Sequence, residues 1–82
     1  MAQVTVLYFA QAQERSGCPL EIIEIPGISN TSAVRDLLAN HHPALAELLP
    51  HCRLALDHSF IDGALTLADG SELAVIPPVS GG

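Results

Sequence analysis

The chain has 82 residues, 49% of them hydrophobic, and its nine Asp and Glu against three Arg and no Lys give a formal net charge of −6. This length fits one domain, the hydrophobic content excludes a disordered chain, and no apolar run approaches the ~20 residues of a membrane-spanning helix. With only three cationic side chains, the chain is not expected to bind nucleic acid or an anionic membrane. A phosphorylated substrate would need its neutralising positive charge from another protein.

Two β-type segments and a helix are predicted for the first half of the chain. Residues 3–9 (QVTVLYF) and 20–25 (LEIIEI) are rich in β-branched and aromatic residues. The polar stretch between them predicts the loop of a long hairpin, which could hold a helical turn before Gly17 and Pro19. In residues 30–42 apolar side chains recur every three or four positions, which predicts an amphipathic helix. Pro43 suits the start of a short second helix, PALAELL.

The second half returns to strands. RLAL, at 53–56, predicts a strand, a turn-rich stretch with two Asp-Gly pairs follows, and LAVI, at 73–76, predicts the last strand. Pro77-Pro78 ends it, because proline cannot donate to a strand ladder. This order predicts an α+β fold of the β-grasp type, with a mixed sheet and one main helix packed on one face. We expect residues 1–76 to form the domain and residues 77–82 an extended tail.

The last strand is apolar on both faces, since Leu73 and Val75 alternate with Ala74 and Ile76. One helix covers one face of such a sheet, so apolar surface is left for a partner, unless loops cover it. We expect the docking surface near Phe9 and Val75. Two aromatic residues, Tyr8 and Phe60, are predicted to lie in the core.

The chain lacks the usual signs of its own catalytic, metal or secretory chemistry. No GxSxG motif, acid–base pair or phosphate-binding loop is present. His41, His42 and His51 have no thiol or carboxylate at a ligand spacing on the same element, so no metal site is predicted. Cys52 is expected to be a small core residue rather than a persulfide carrier. The lack of a secretory signal predicts a cytoplasmic protein with reduced thiols.

The final residues, PPVSGG, predict a tail that presents its carboxylate to another protein. Gly81 and Gly82 carry no Cβ, so the backbone fits a narrow channel. Pro77 and Pro78 favour an extended arm, and six residues span roughly 20 Å. A terminal Gly pair alone is also common in frayed ends.

The segment DGSELAVIPPVSGG, at 69–82, resembles the C-terminal signature of the small subunits of molybdopterin synthase, a family of ubiquitin-like sulfur carriers. The strand VLYFA and the polar loop after it resemble the first hairpin of that family. The resemblance therefore covers essentially the whole chain. Ser71 departs from it, because Asp is commoner there, and Asp57-His58 replaces a turn that usually contains Asn.

The resemblance implies a two-step chemistry with no permanently bound cofactor. A ubiquitin-activating-like adenylyltransferase uses ATP and magnesium to adenylate Gly82, and a sulfurtransferase or cysteine desulfurase then supplies the sulfur of a thiocarboxylate. The tail enters the large subunit of molybdopterin synthase and donates sulfur to cyclic pyranopterin monophosphate, which forms a dithiolene. Gly81 gives clearance, and Pro77, Pro78, Val79 and Ser80 guide the arm. The family usually forms heterotetramers.

Two alternatives stay open at this point. The chain is a sulfur carrier for thiamine synthesis or tRNA thiolation, or a protein modifier, in the same fold; or it is an interaction domain with an inert tail. PPVS before the terminal glycines favours the molybdopterin pathway, because other sulfur carriers of this fold generally lack it.

Overall fold

The computed structural model describes residues 1–78. Its strands are β1 (Ala2–Tyr8), β2 (Leu20–Ile25), β3 (Ile28–Asn30), β4 (Arg53–Leu56), β5 (Ser59–Ile61), β6 (Ala64–Thr66) and β7 (Glu72–Ile76). Its helices are α1 (Gln11–Ser16) and α2 (Thr31–His41), and two short 3₁₀ turns cover Pro43–Leu45 and Leu49–His51. No helix in this part of the chain is both long and apolar enough to cross a bilayer.

The main sheet is mixed and has five strands in the order β2-β1-β7-β4-β5. The central strand β7 runs parallel to β1 and antiparallel to β4, and β3 and β6 form a separate antiparallel ribbon. Parallel neighbours need a long crossover connection, and here the chain between β1 and β7 contains the main helix. The predicted ubiquitin-like β-grasp fold is confirmed.

Helix α2 begins after the capping residue Asn30 and packs against the sheet through a narrow apolar stripe. The Asn30 side chain accepts a hydrogen bond from the Ala33 N–H at 2.8 Å, which satisfies one of the free donors of the first turn. Val34 and Leu38 are fully buried, and Leu37 is half-buried. This stripe covers one face of the sheet and leaves the other face without a helix.

The core lies between α2 and the alternate residues of the sheet that point toward it. From the strands it takes Val4, Val6, Tyr8, Ile23, Ile25, Leu54, Leu73 and Val75, and from the connecting segments Ala12, Leu45, Leu49 and Cys52. Strand alternation places the neighbouring residues of the same strands on the opposite face. The predictions that Tyr8 and Cys52 belong to the core are confirmed.

One local prediction was incomplete, and two were wrong. The predicted hairpin loop contains α1, which ends at Gly17 in a left-handed conformation (φ 81°) and is held to the domain by the fully buried Ala12. The predicted second helix is a pair of 3₁₀ turns. The turn-rich stretch after β4 contains the short strands β5 and β6, whose three residues each are too few to show a periodic pattern.

The turn before β7 fixes where the last strand begins. Gly70 has a φ of 87°, and the Asp69 carboxylate accepts a hydrogen bond from the Gln3 N–H at 2.8 Å. The buried Ser71 hydroxyl accepts one from the Ala68 N–H at 3.0 Å. Ser71, which departs from the family pattern, thus closes the turn itself and aligns β7 with β1.

Candidate functional site

The chain end leaves the domain from the middle of the sheet. Val75 accepts a hydrogen bond from the Phe9 N–H at 3.3 Å, and Ile76 is paired with Arg53 on the other side. The next residue, Pro77, is buried, and Pro78 is exposed. Burial therefore reaches Pro77, and the boundary between domain and tail at residue 76 stays a prediction.

The remaining residues predicted to carry the chemistry, Val79, Ser80, Gly81 and Gly82, lie outside the described residues, and their roles stay predictions. Pro77 and Pro78 are placed by the structure at the end of β7. Because β7 is central, the point where the chain leaves is flanked by β1 on one side and β4 on the other. A protein that binds this chain end is therefore expected to contact β1 and β4 as well.

The face of the sheet opposite α2 carries a continuous apolar row. Strand pairing aligns Leu20 with Leu7, Leu7 with Ala74, Ala74 with Ala55, and Ala55 with Phe60, so that one residue from each of the five strands lies in the row. Phe9, which follows β1, and Ile76, at the end of β7, occupy the next position on the same face toward the chain end. We call these seven residues the open face.

Large apolar side chains on the open face are accessible to solvent. Phe60 is 56% exposed, Leu20 is 52% exposed and Phe9 is 47% exposed. A shallow groove of about 250 Å³ runs between Leu7, Phe9, Phe60 and Ile76. Contiguous exposed apolar surface of this kind marks interaction sites in globular proteins. The open face, at the base of the tail, therefore has the chemistry of a docking surface.

Two sequence predictions about this surface need correction. Val75 was expected to contribute to docking, but it is fully buried because strand alternation points it toward α2, and Ala74 and Ile76 take the open face instead. Phe60 was expected in the core, but it lies on the open face, since it is paired with Ala55 on the edge strand β5. Phe9 does lie on the open face, and its part in docking stays a prediction.

Arg53 places positive charge next to the chain end. Its guanidinium carbon lies 3.6 Å from the centroid of the Phe60 ring, which is within the range of a cation–π contact. Arg35 is used differently, because its guanidinium donates hydrogen bonds to the carbonyl oxygens of Leu49 at 3.3 Å and Cys52 at 3.0 Å. Arg53 is thus available to a partner, whereas Arg35 holds the segment between α2 and β4.

The hairpin at the edge of the open face uses an unusual turn. Asp57 and His58 both have positive φ, at 48° and 74°, in the β4–β5 connection. Glycine and asparagine adopt this conformation more easily than histidine does. The Asp57 carboxylate accepts a hydrogen bond from the Glu72 N–H at 2.9 Å, and the Asp57 N–H donates to the Glu72 carbonyl at 2.8 Å. These bonds tie the turn to β7.

A larger depression, of about 490 Å³, lies over the outer surface of α2, between Ala33, Asp36 and His41. It is on the other side of the sheet from the open face. Its lining comes from a single helix, and its only charged groups are exposed side chains. The smaller groove beside the chain end is therefore the better candidate for a docking site.

The structure also brings together a polar cluster that the sequence analysis missed. Cys18 precedes β2, Glu21 lies in β2 and His42 follows α2, and their ligand atoms are all within 4.8 Å of one another. Burial by itself would raise the pKa of Glu21, but its contacts with His42, Tyr8 and Cys18 outweigh that effect and lower it. The three residues come from three elements, so no local spacing in the sequence announces them.

Comparison with known proteins agrees with this geometry. The profile of the ThiS family matches residues 6–82. A human protein named molybdopterin synthase sulfur carrier subunit is 35% identical over 85 aligned positions, which cover 100% of this chain and 97% of the relative.

Two solved structures share the fold over nearly the whole chain. One is from the complex of subunits 1 and 2 of the Helicobacter pylori molybdopterin-converting factor, with 28% identity and a TM-score of 0.72, covering 98% of this chain and 99% of that one. The other is small archaeal modifier protein 1 of Haloferax volcanii, with 26% identity and a TM-score of 0.80, covering 96% and 100%. The resemblance inferred from the sequence is confirmed, and the chain belongs to the ThiS family.

Proposed function

We propose that this protein is the sulfur carrier subunit of a molybdopterin synthase and that the carboxyl group of Gly82 carries the sulfur. The observation that most supports this function is the full-length similarity to curated carriers of that name. The fold is consistent with it, because the central strand β7 brings the chain end out beside an accessible apolar surface. The cytoplasm is the proposed location, since Cys18 and Cys52 are both free thiols.

In the proposed cycle, the chain supplies an acyl group and its partners supply the catalysis. An adenylyltransferase with ATP and magnesium joins the Gly82 carboxylate to AMP and releases pyrophosphate. The terminal sulfur of a persulfide on a sulfurtransferase or cysteine desulfurase then displaces AMP, and a second thiol cleaves the resulting acyl disulfide, which leaves a thiocarboxylate on the carrier and a disulfide between the two thiols. In the large subunit the sulfur passes to cyclic pyranopterin monophosphate, and hydrolysis restores the carboxylate. Two carriers, used in turn, supply the two sulfurs of the dithiolene.

The large subunit is the partner with the strongest support, because one structural relative comes from a complex of both subunits of a molybdopterin-converting factor. On this chain we assign its docking surface to the open face, which adjoins Pro78. A partner that covers Phe9 and Ile76 is positioned to receive the residues that follow Pro78. The net charge of −6 agrees with this division, since the anionic pterin would meet its cations on the large subunit.

The test is intact-mass analysis of the full chain after incubation with the activating enzyme, ATP, magnesium and a sulfur donor. The proposal predicts the mass increase of an oxygen-to-sulfur exchange, located on Gly82 by fragmentation. A variant that lacks Gly82 is the control, and it should gain nothing. No mass change in the intact chain, or an equal change in the truncated chain, would contradict the proposal.

Protein modification is a second candidate function, favoured by the similarity to the small archaeal modifier protein of Haloferax volcanii. Both functions begin with adenylation of the terminal carboxylate, so activation alone does not separate them. A modifier would form amide-linked conjugates with other proteins, whereas the synthase subunit would co-purify with a pterin-binding subunit and support dithiolene formation in vitro. Co-purification with a pterin-binding subunit and dithiolene formation in vitro also separate the synthase subunit from a carrier for thiamine synthesis or tRNA thiolation.

A further inference from the structure

Cys18, Glu21 and His42 form a compact group of three different donor types near the end of α2. The Cys18 sulfur lies 3.6 Å from Oε2 of Glu21, and Nε2 of His42 contacts the same oxygen. The side chains of His42 and Glu21 are 21% and 26% exposed, so the group is shielded but open to small solutes. Nothing in the proposed sulfur transfer uses it.

We propose that Cys18, Glu21 and His42 bind a zinc ion, with the fourth position left to solvent. Thiolate, imidazole and carboxylate are the three protein ligands of zinc, and a mixed set of this kind does not suit calcium or magnesium, which prefer oxygen. Tetrahedral zinc with usual bond lengths places a sulfur and an oxygen ligand about 3.6 Å apart. The separation between Cys18 and Glu21 already has that value, whereas the His42 imidazole and the Glu21 carboxylate are in direct contact and would have to move apart to admit the ion.

A buried hydroxyl, that of Tyr8, borders the cluster beside the Glu21 carboxylate. Tyr8 is only 2% exposed, and its hydroxyl has no hydrogen-bond partner among residues 1–78. The Tyr8 ring meets the His42 ring edge-on, with 5.6 Å between their centroids, and the Glu21 carboxylate is close enough to raise the pKa of the hydroxyl further than burial already does. Zinc ligands are usually oriented by hydrogen bonds from neighbouring groups, and a hydroxyl beside a ligand carboxylate or a metal-bound water can donate such a bond.

Zinc binding here would add a cross-link between parts of the chain that are already in contact through the His42 and Glu21 side chains. Cys18 lies in the loop before the edge strand β2, Glu21 lies in β2, and His42 follows the last turn of α2. The ion would replace the thiol proton, which is released to solvent, and the direct contact between carboxylate and imidazole. A small domain gains most from such a cross-link, because its core is limited.

The experiment uses the full chain, stripped of metal with a chelator and kept reduced. Zinc chloride is added, and native mass spectrometry and the thermal midpoint are recorded. We expect one zinc per chain and a midpoint that rises by several degrees. Cobalt, added in place of zinc, should give the charge-transfer absorption of a thiolate ligand, and zinc should slow the alkylation of Cys18.

Two variants and one control decide between a zinc site and a cluster that is only hydrogen-bonded. Cys18→Ser and His42→Gln should lose the bound zinc and the thermal shift, whereas His41→Gln changes the neighbouring, exposed histidine and should keep both. If one variant fails to fold, the other variant and the cobalt spectrum of the unaltered chain still decide. Failure of the unaltered chain to retain zinc, or equal retention by all variants, overturns the proposal.

Discussion

Replacement of Phe60 by Ala should weaken binding to the large subunit without unfolding the carrier. Phe60 is 56% exposed on the open face, so a partner that covers it buries about 110 Å² of its surface, taking about 200 Å² for a whole phenylalanine. At about 25 cal/mol per Å² this contributes up to about 2.8 kcal/mol, or roughly a hundredfold in Kd. The loss of the Arg53 contact should lower domain stability by no more than about 1 kcal/mol.

The assay is calorimetric titration of the large subunit with each carrier variant, together with urea unfolding of the carrier alone. Ile28→Ala is the matched control, because Ile28 is 86% exposed but lies in the β3–β6 ribbon, away from the open face. Phe60→Ala should raise Kd by ten- to a hundredfold, and Ile28→Ala should leave it unchanged. Equal Kd values for the unaltered chain and Phe60→Ala, or equal weakening by both variants, would refute the assignment of the open face.

Three further predictions follow from particular residues. His58→Gly should stabilise the domain by about 0.5–1 kcal/mol in urea unfolding, because glycine adopts the positive φ of that turn without steric cost; a lower midpoint would contradict this. Leu38→Ala should destabilise it by about 3 kcal/mol, since Leu38 is fully buried under the sheet, and a loss below 1 kcal/mol would mean that the α2 packing is not as described. Gly81→Val should abolish sulfur loading while the thermal midpoint stays unchanged, and normal loading would count against a narrow channel for the tail.

The parts of the fold that were predictable are those with a clear apolar pattern. β1 is rich in β-branched and aromatic residues, β7 is a continuous apolar run closed by two prolines, and in α2 the buried residues Val34 and Leu38 are four positions apart, so these elements were placed within one or two residues. The α1 segment was predicted only as a hairpin loop that could hold a helical turn, because α1 buries only Ala12 and so has no apolar stripe. β5 and β6 were missed because three residues form a strand only when a partner strand supplies the hydrogen bonds.

The candidate site was predicted in outline, but its residues depended on strand order. Alternation in β7 showed that two faces were apolar, yet nothing in the sequence says which face α2 covers. Val75 was therefore assigned to the wrong face, and Phe60 was placed in the core because its exposure depends on β5 being the edge strand. The Cys18, Glu21 and His42 cluster was out of reach for a similar reason, since only the folded chain joins the end of α2 to β2.

The position of the open face bears on how one carrier serves two partners. If Gly82 is first activated by an adenylyltransferase and then delivers sulfur in the large subunit, both partners must hold the same chain end, and a single end enters one active site at a time. On the proposed function, the apolar row of the open face, together with Phe9 and Ile76, would be the surface that each partner contacts when it binds the tail. The two partners should therefore compete for it, and Phe60→Ala should weaken adenylation at limiting activating enzyme as well as sulfur transfer. An adenylation rate that Phe60→Ala leaves unchanged under those conditions would mean that the two partners use different surfaces.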